Sequence, residues 1–155
     1  MVQEIRGKAS RDRGGFSLPE LLIVVVVLGI LATIATPAIA RTIQHQRVNR
    51  AAAIVSADLQ NVFAMAGRQR APVHLASDAT AKTYTFSDRK TGAILQTRNL
   101  GRSSEYQLGT LTFVPASVDM FPNGISSSAL TVTVGTGGYS RTITASTAGF
   151  VRVVP

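Results

Sequence analysis

The sequence contains no cysteine, no tryptophan and only two histidines among its 155 residues. Without cysteine, the chain has no disulfide framework, no thiolate nucleophile and no cysteine-based metal site. His45 and His74 have no carboxylate at metal-ligand spacing beside them, so we expect no metal and no cofactor. The nucleophile elbow G-x-S-x-G is absent, and the GTGG stretch at residues 135–138 lacks the strand–loop–helix context of a phosphate loop. These absences favour a protein that is not an enzyme.

Acidic residues are also scarce, because 8 Asp and Glu stand against 16 Lys and Arg and leave a net charge of +8. Such an excess indicates contact with anionic lipid or nucleic acid, or simply solubility. Basic side chains crowd the middle of the chain, and Arg141 and Arg152 follow near its end. We consider two interpretations: non-specific DNA contact through phosphates, and a solvated or inter-subunit surface.

The longest feature is an apolar run over residues 16–40, in which Glu20 is the only charge. At about 1.5 Å per helical residue, it is long enough to span a hydrocarbon core of about 30 Å. The basic residues before it predict that the first residues stay in the cytoplasm and that the rest of the chain lies on the far side of the membrane. A secretory signal would have a shorter apolar stretch, followed by small residues. A plain anchor explains the length but not the carboxylate, which costs roughly a few kcal/mol near a membrane helix end.

Gly15-Phe16 followed by Glu20 resembles the class III signal of type IV pilins and type II secretion pseudopilins. The resemblance implies that residues 1–15 are a leader, which prepilin peptidase removes between Gly15 and Phe16. It also implies that Phe16 is then N-methylated. Glu20 would pair with the terminal amine of a neighbouring subunit and set the register, since a buried carboxylate is tolerated when an opposite charge satisfies it. Pro19 replaces the usual aliphatic residue, which the first turn of a helix tolerates.

One long helix is predicted from about residue 17 to residue 66, ending by Arg70. Residues 16–40 form its transmembrane or filament-core part, and residues 41–71 form an amphipathic continuation. Pro37 is expected to kink it; the resemblance implies a bend or melting on filament entry, and a simple kink is the alternative. Apolar residues of the second part recur every three or four positions and predict one buried face, with Arg47, Arg50, Asp58, Gln60 and Asn61 on other faces.

Residues 72–155 read as a β-rich globular domain, because short β-branched runs alternate with turn signals. The fold class is therefore α+β: a long N-terminal helix, transmembrane in its first half, packed on an antiparallel β-sheet or β-sandwich. The last four strands are expected to form a meander. The predicted strands are 73–75, 83–86, 94–100, 106–113, 118–121, 129–134, 140–145 and 150–154.

The segment from residue 118 to residue 154 resembles the GspH/FimT family of minor pilins and minor pseudopilins. The matching residues are Phe121, Pro122, Asn123, Gly124, Arg141, Ser146, Gly149 and Arg152, whereas Phe150 replaces the arginine that usually follows the glycine. The resemblance implies a subunit of a type IV pilus or its tip complex, or alternatively the H-type pseudopilin of type II secretion. Certain FimT-like proteins bind DNA through a C-terminal basic motif, which here leaves Arg141 and Arg152.

The same resemblance implies the partners and the location of the protein. The expected partners are prepilin peptidase, other pilin or pseudopilin subunits, inner-membrane lipid and, in the DNA-binding interpretation, non-specific DNA. We expect a single-pass inner-membrane protein with its C-terminal domain in the periplasm, which then enters a pilus or pseudopilus.

Overall fold

A computed structural model describes residues 15–154 of the chain. The proposed leader, residues 1–15, lies outside the described residues except for Gly15. Helix α1 covers Leu18–Gln69 and includes Pro37. The chain divides into two compact units, Met1–Ala38 and Ile39–Pro155, and each is described by itself.

In the second unit, α1 buries one apolar face in the core, as the periodicity predicts. Its buried apolar residues are Val48, Ala51, Ala52, Val55, Leu59, Val62 and Ala66. The assignment of Asp58 to a polar face is wrong, because this side chain is only 3% exposed and lies on the buried face. Its partners come from the β domain, at 26 and 40 residues' separation in the chain. No local sequence pattern contains such contacts.

Eight strands follow the helix, close to the eight predicted segments. They are β1 (Val73–Asp78), β2 (Thr83–Asp88), β3 (Ile94–Asn99), β4 (Thr110–Val114), β5 (Ser117–Met120), β6 (Leu130–Thr136), β7 (Tyr139–Ala145) and β8 (Val151–Val154). The start of β4 differs most, since residues 106–109 form a connection in which Gln107 has a positive φ of 48° and the Leu108 N–H bonds back to the Leu100 carbonyl.

The strands form two antiparallel four-stranded sheets, with orders β3-β2-β1-β5 and β4-β6-β7-β8. The predicted four-strand meander is therefore wrong in one strand: β5 pairs with β1, and only β6, β7 and β8 form the meander. The turn after β5 carries the chain from one sheet to the other. Pairing between strands far apart in sequence depends on tertiary packing, which the alternation of side chains does not encode.

One hydrophobic core contains residues of the helix and the inward faces of both sheets. The Tyr84 ring of the first sheet lies 5.4 Å from the Phe113 ring of the second. Tyr84 also lies 5.5 Å from Phe86, edge to face, a geometry that aromatic pairs favour. The core therefore fixes both sheets against the second half of α1.

Candidate functional site

The N-terminal site begins with a non-helical segment, residues 15–17, followed by the first turn of α1. Glu20 Oε2 accepts hydrogen bonds from the Ser17 backbone N–H at 3.2 Å and from the Ser17 hydroxyl at 3.1 Å. Because Glu20 is the third residue of the helix, this S-x-x-E pattern resembles a capping box, which satisfies N–H groups that a helix start leaves unpaired. The S-x-x-E pattern is visible in the sequence, but the sequence analysis assigned Glu20 to subunit register alone.

The apolar part of α1 presents its side chains to the surroundings. Phe16 is 81% exposed, and the large apolar residues from Leu18 to Ile43 are exposed as well. By length and composition, α1 is able to cross a membrane, with a mean hydropathy of 2.7 in its most apolar window. The hydroxyls of Thr33 and Thr36 donate to the Ile30 and Ala32 carbonyls at 2.6 and 2.8 Å. In lipid, such internal bonds satisfy these two hydroxyls without water.

Pro37 removes one backbone donor from the same segment. A proline has no N–H, so the carbonyl four residues earlier, that of Thr33, loses its usual intrahelical donor. Helices bend most often at such positions. Pro37 lies inside α1. That it kinks the helix stays a prediction.

The second unit contains a buried charge network around Asp58. The Tyr84 hydroxyl donates to Asp58 Oδ2 at 2.6 Å, and Arg98 donates to both carboxylate oxygens at 2.9 Å each. Burial by itself raises the pKa of Asp58, but hydrogen bonds from Arg98, Tyr84 and Gln96, together with the charge of Arg98, outweigh it and lower this pKa below its usual range. Burial and the adjacent Asp58 raise the pKa of Tyr84. The network joins the helix to β2 and β3.

Arg141 belongs to a contact between the helix and the β6–β7 hairpin. Its Nε donates to Asn49 Oδ1 at 3.1 Å, and its guanidinium lies 5.6 Å from the Tyr139 ring centre. Tyr139 also stacks on His45 with ring centres 4.0 Å apart. Arg141 is therefore engaged inside the domain.

The structure does not bring Arg141 and Arg152 together on one face. Residues paired across an antiparallel ladder share a face, and faces alternate along a strand. Arg152 pairs with Thr144, which is three residues from Arg141 and therefore on the opposite face. Arg152 is exposed on the outer face, whereas Arg141 shares the inner face with the buried Ile143. Arg141 and Arg152 therefore do not form one joint basic patch, and DNA contact through either residue stays a prediction.

The FPNG and S-x-x-G patterns form two turns that pack together. Gly124 and Gly149 have φ values of 80° and 78°, a region that glycine adopts readily. The Gly124 N–H bonds to the Phe121 carbonyl at 3.0 Å, and the Gly149 N–H bonds to the Ser146 carbonyl at 3.0 Å. A Cβ on Gly149 would lie 2.9 Å from the Gly124 carbonyl oxygen. The C-terminal pattern thus has a structural explanation.

The two histidines differ in their surroundings. His74 Nδ1 lies 2.7 Å from Asp119 Oδ1, a contact that spacing in the sequence did not reveal. Asp119 Oδ2 also pairs with Arg89 Nε at 3.2 Å. Among residues 15–154, no three or more His, Cys, Asp or Glu side chains gather closely enough to hold a metal ion.

Comparisons with known proteins give one sequence motif and one structural likeness. Residues 10–36 match the prokaryotic N-terminal methylation motif. The type IV minor pilin FimU of Pseudomonas aeruginosa is similar in structure in one crystal form, with a TM-score of 0.59 and 20% identity over 71% of this chain and 90% of FimU. A second crystal form gives a TM-score of 0.56 and 20% identity over 69% of this chain and 92% of FimU. No curated protein sequence matches the chain. The chain thus combines a prokaryotic N-terminal methylation motif with the fold of a type IV minor pilin.

Proposed function

We propose that the chain is a minor pilin of the GspH/FimT type, a structural subunit that is processed by prepilin peptidase and assembled with other pilins. One observation carries the proposal: a methylation motif at residues 10–36 includes the first part of a helix whose second half packs in the core of a FimU-like domain. A signal sequence alone would not require its apolar helix to continue into the core of the domain that follows. A soluble β domain alone would not require the apolar helix.

Processing would occur between Gly15 and Phe16 on the cytoplasmic side, with methylation of the new Phe16 amine. The bond lies before the start of α1, in a segment without regular secondary structure, which supports access by a peptidase. The apolar helix would then hold the chain in the inner membrane, with the β domain in the periplasm, until assembly. The methyl group would come from a methyl donor used by the processing enzyme, and the chain itself is expected to hold no cofactor.

The processing proposal is tested by co-expressing the full chain with prepilin peptidase and measuring the N-terminal peptide by mass spectrometry. We expect a peptide that begins at Phe16 and carries one added methyl group. Gly15→Asp should abolish cleavage, because the bulky charged side chain occupies the cleavage position, while the neighbouring Gly14→Ala should be cut normally. A wild-type chain that keeps Met1 despite active peptidase would contradict the proposal.

The alternative machine is a type II secretion system, in which the chain would act as the H-type pseudopilin. Both machines use the same signal and fold, so the partners must distinguish them. Crosslinked subunits purified from the native membranes are the measurement. Recovery of pilus-assembly proteins and other minor pilins supports the pilus, and recovery of secretion-platform subunits supports the pseudopilus.

DNA binding stays a separate prediction with its own test. Phosphate contacts make such binding weaken steeply with salt. If Arg152 acts in DNA capture, Arg152→Ala should weaken low-salt binding of the full chain and reduce its salt dependence, without loss of stability. No binding at low salt would remove this interpretation.

A further inference from the structure

The free edge of β8 is an apolar strand edge that the second sheet leaves uncovered. Val153 pairs with Ile143 across the β7–β8 ladder, so both side chains point to the inner face. Ile143 is 0% exposed, but Val153 is 41% exposed. Phe150, directly before β8, is 79% exposed. At Val153 the inner face of the sheet lacks the cover that it has elsewhere, whereas Val151 packs against the core.

The opposite edge of the same sheet differs from β8 on its inner face. The inward residues of β4, Leu111 and Phe113, are 2% and 6% exposed. In the other sheet, the inner face of edge strand β3 carries Arg98, which is bound to Asp58. The outer side of β5 is covered by the following segment, where the Ser127 N–H bonds to the Asp119 carbonyl. An exposed inward valine therefore distinguishes β8 from these edges.

The backbone of β8 also has hydrogen-bonding groups on its free side. The Ser146 N–H bonds to the Phe150 carbonyl, which makes this pair a hydrogen-bonded pair of the ladder. Hydrogen-bonded and non-hydrogen-bonded pairs alternate in antiparallel ladders, so the N–H and C=O groups of Val151 and Val153 point away from β7. An unpaired row of this kind is a template for an added strand.

Charge indicates what kind of strand fits. Arg152 is exposed on the outer face of β8. The ion pairs among residues 15–154 join Asp58 and Asp119 to Arg98, His74 and Arg89, and none of them includes Arg152. An acidic side chain directly opposite Arg152 would pair with it. A second copy of the chain, paired antiparallel about Arg152, would instead place two guanidinium groups opposite each other, which is unfavourable.

We propose that β8 binds an extended segment of a different protein by strand addition, with apolar side chains facing Val151 and Val153 and an acidic side chain facing Arg152. Main-chain hydrogen bonds to Val151 and Val153 would give affinity, and the alternating side chains would give specificity. The inference deepens the proposed function by naming what the β domain contacts in an assembly, but its test does not need a filament.

The test uses the full chain in detergent micelles and a capped peptide in which valine and glutamate alternate. Binding is measured by fluorescence anisotropy, and protection of the amides of residues 150–154 by hydrogen exchange and mass spectrometry. One control peptide carries lysine in place of glutamate, and another carries a central proline that breaks strand pairing. We expect the glutamate peptide alone to bind and to slow exchange in β8.

Two variants and a matched control identify the surface. Arg152→Glu should weaken binding of the glutamate peptide about tenfold and make the lysine peptide the preferred one. Val153→Thr keeps the side-chain shape but should weaken binding about fivefold through lost apolar contact. Val114→Thr makes the same change at the exposed position of edge strand β4 and should have no effect.

Three outcomes would overturn the proposal. The first is equal binding of the proline peptide, and the second is an unchanged charge preference in Arg152→Glu. The third is concentration-dependent protection of β8 without any peptide, which would assign the edge to a second copy of the chain. Each is independent of N-terminal processing, so a failure here leaves the proposed function testable by its own assay.

Discussion

Replacing Arg98 by leucine should destabilise the β domain, because the carboxylate of Asp58 would stay buried without its cation. Asp58 is 3% exposed, and Arg98 gives it two hydrogen bonds of 2.9 Å. Breaking a fully buried ion pair costs about 3–5 kcal/mol. The side chain of Arg98 is still 31% exposed, so water screens the charge in part, and we expect a loss of about 2–3 kcal/mol.

The free energy of unfolding is measured on residues 39–155 by urea denaturation, followed by far-ultraviolet circular dichroism. The expected loss in Arg98→Leu corresponds to a fall in Tm of about 10 °C for a domain of this size. Arg102→Leu, at an exposed arginine after β3, is the matched control and should change stability by less than about 0.5 kcal/mol. Tyr84→Phe should cost about 1.5 kcal/mol, because it removes one hydrogen bond to a charged acceptor.

The double variant Asp58→Leu/Arg98→Leu decides whether the effect comes from the pair. Replacing both partners of a buried ion pair by apolar residues is often close to neutral, so the double variant should be more stable than Arg98→Leu alone. If the single effects simply add, or if Arg98→Leu behaves like the Arg102→Leu control, the reasoning is refuted.

Acid should remove the same stabilisation. The pKa of Asp58 is lowered in the folded state, with burial opposed by the stronger combined effect of Arg98, Tyr84 and Gln96. A lowered folded-state pKa gives stability that is complete above the unfolded value near 4 and is lost as pH falls below it. Wild type should therefore lose more stability between pH 5 and pH 3 than Asp58→Leu/Arg98→Leu. Equal pH profiles would contradict this assignment.

Two further predictions concern the hairpin contact and the glycine turns. Arg141→Ala should lower the free energy of unfolding by about 1 kcal/mol, since Arg141 bonds to Asn49. Arg152→Ala should leave the unfolding midpoint unchanged. Equal destabilisation by the two substitutions would contradict the assignment of Arg141 and Arg152 to opposite faces. Gly149→Ala should lower the free energy of unfolding by about 2–3 kcal/mol, because backbone strain at φ 78° adds to a clash of the new Cβ with a backbone oxygen at 2.9 Å. Gly138→Ala should lower it by about 1 kcal/mol, because φ is 83° there but the space around the new Cβ is open. Urea midpoints of the two glycine variants that coincide would exclude the clash.

The sequence was sufficient for the features that depend on local periodicity. Apolar spacing of three and four located the buried face of α1, and alternation located all eight strands to within a few residues. Gly124 and Gly149 were recognised as turn residues before their φ values were known. These features depend on the spacing of residue types over a few neighbouring positions, which is read directly from the sequence.

Other features required tertiary structure. Asp58 follows Val55 by three residues and therefore fits the apolar stripe, but an acidic residue is assigned to a polar face unless its partners are known. Those partners, Tyr84 and Arg98, are distant in sequence. Likewise, only the β1–β5 pairing removes β5 from the meander. Arg141 and Arg152 looked alike in the sequence, yet the ladder register separates their faces.

Glu20 has two candidate roles, which its contacts allow to be separated. The bonds from Ser17 satisfy one carboxylate oxygen, so the residue is able to cap its own helix without a neighbour. The cap does not neutralise the charge, however, and residues 16–40 contain no cation. In lipid, the counter-charge must therefore come from elsewhere. The terminal amine created by cleavage before Phe16 would supply it.

Two substitutions distinguish the charge from the cap. Glu20→Gln keeps a capping box, since glutamine serves at this position as well as glutamate, but it removes the charge. Ser17→Ala weakens the cap by about 1 kcal/mol and keeps the charge. We expect both chains to be cleaved, and only Ser17→Ala to be recovered in crosslinked assemblies with other subunits. Normal recovery of Glu20→Gln together with loss of Ser17→Ala would mean that Glu20 is required to start the helix and not to pair with an amine.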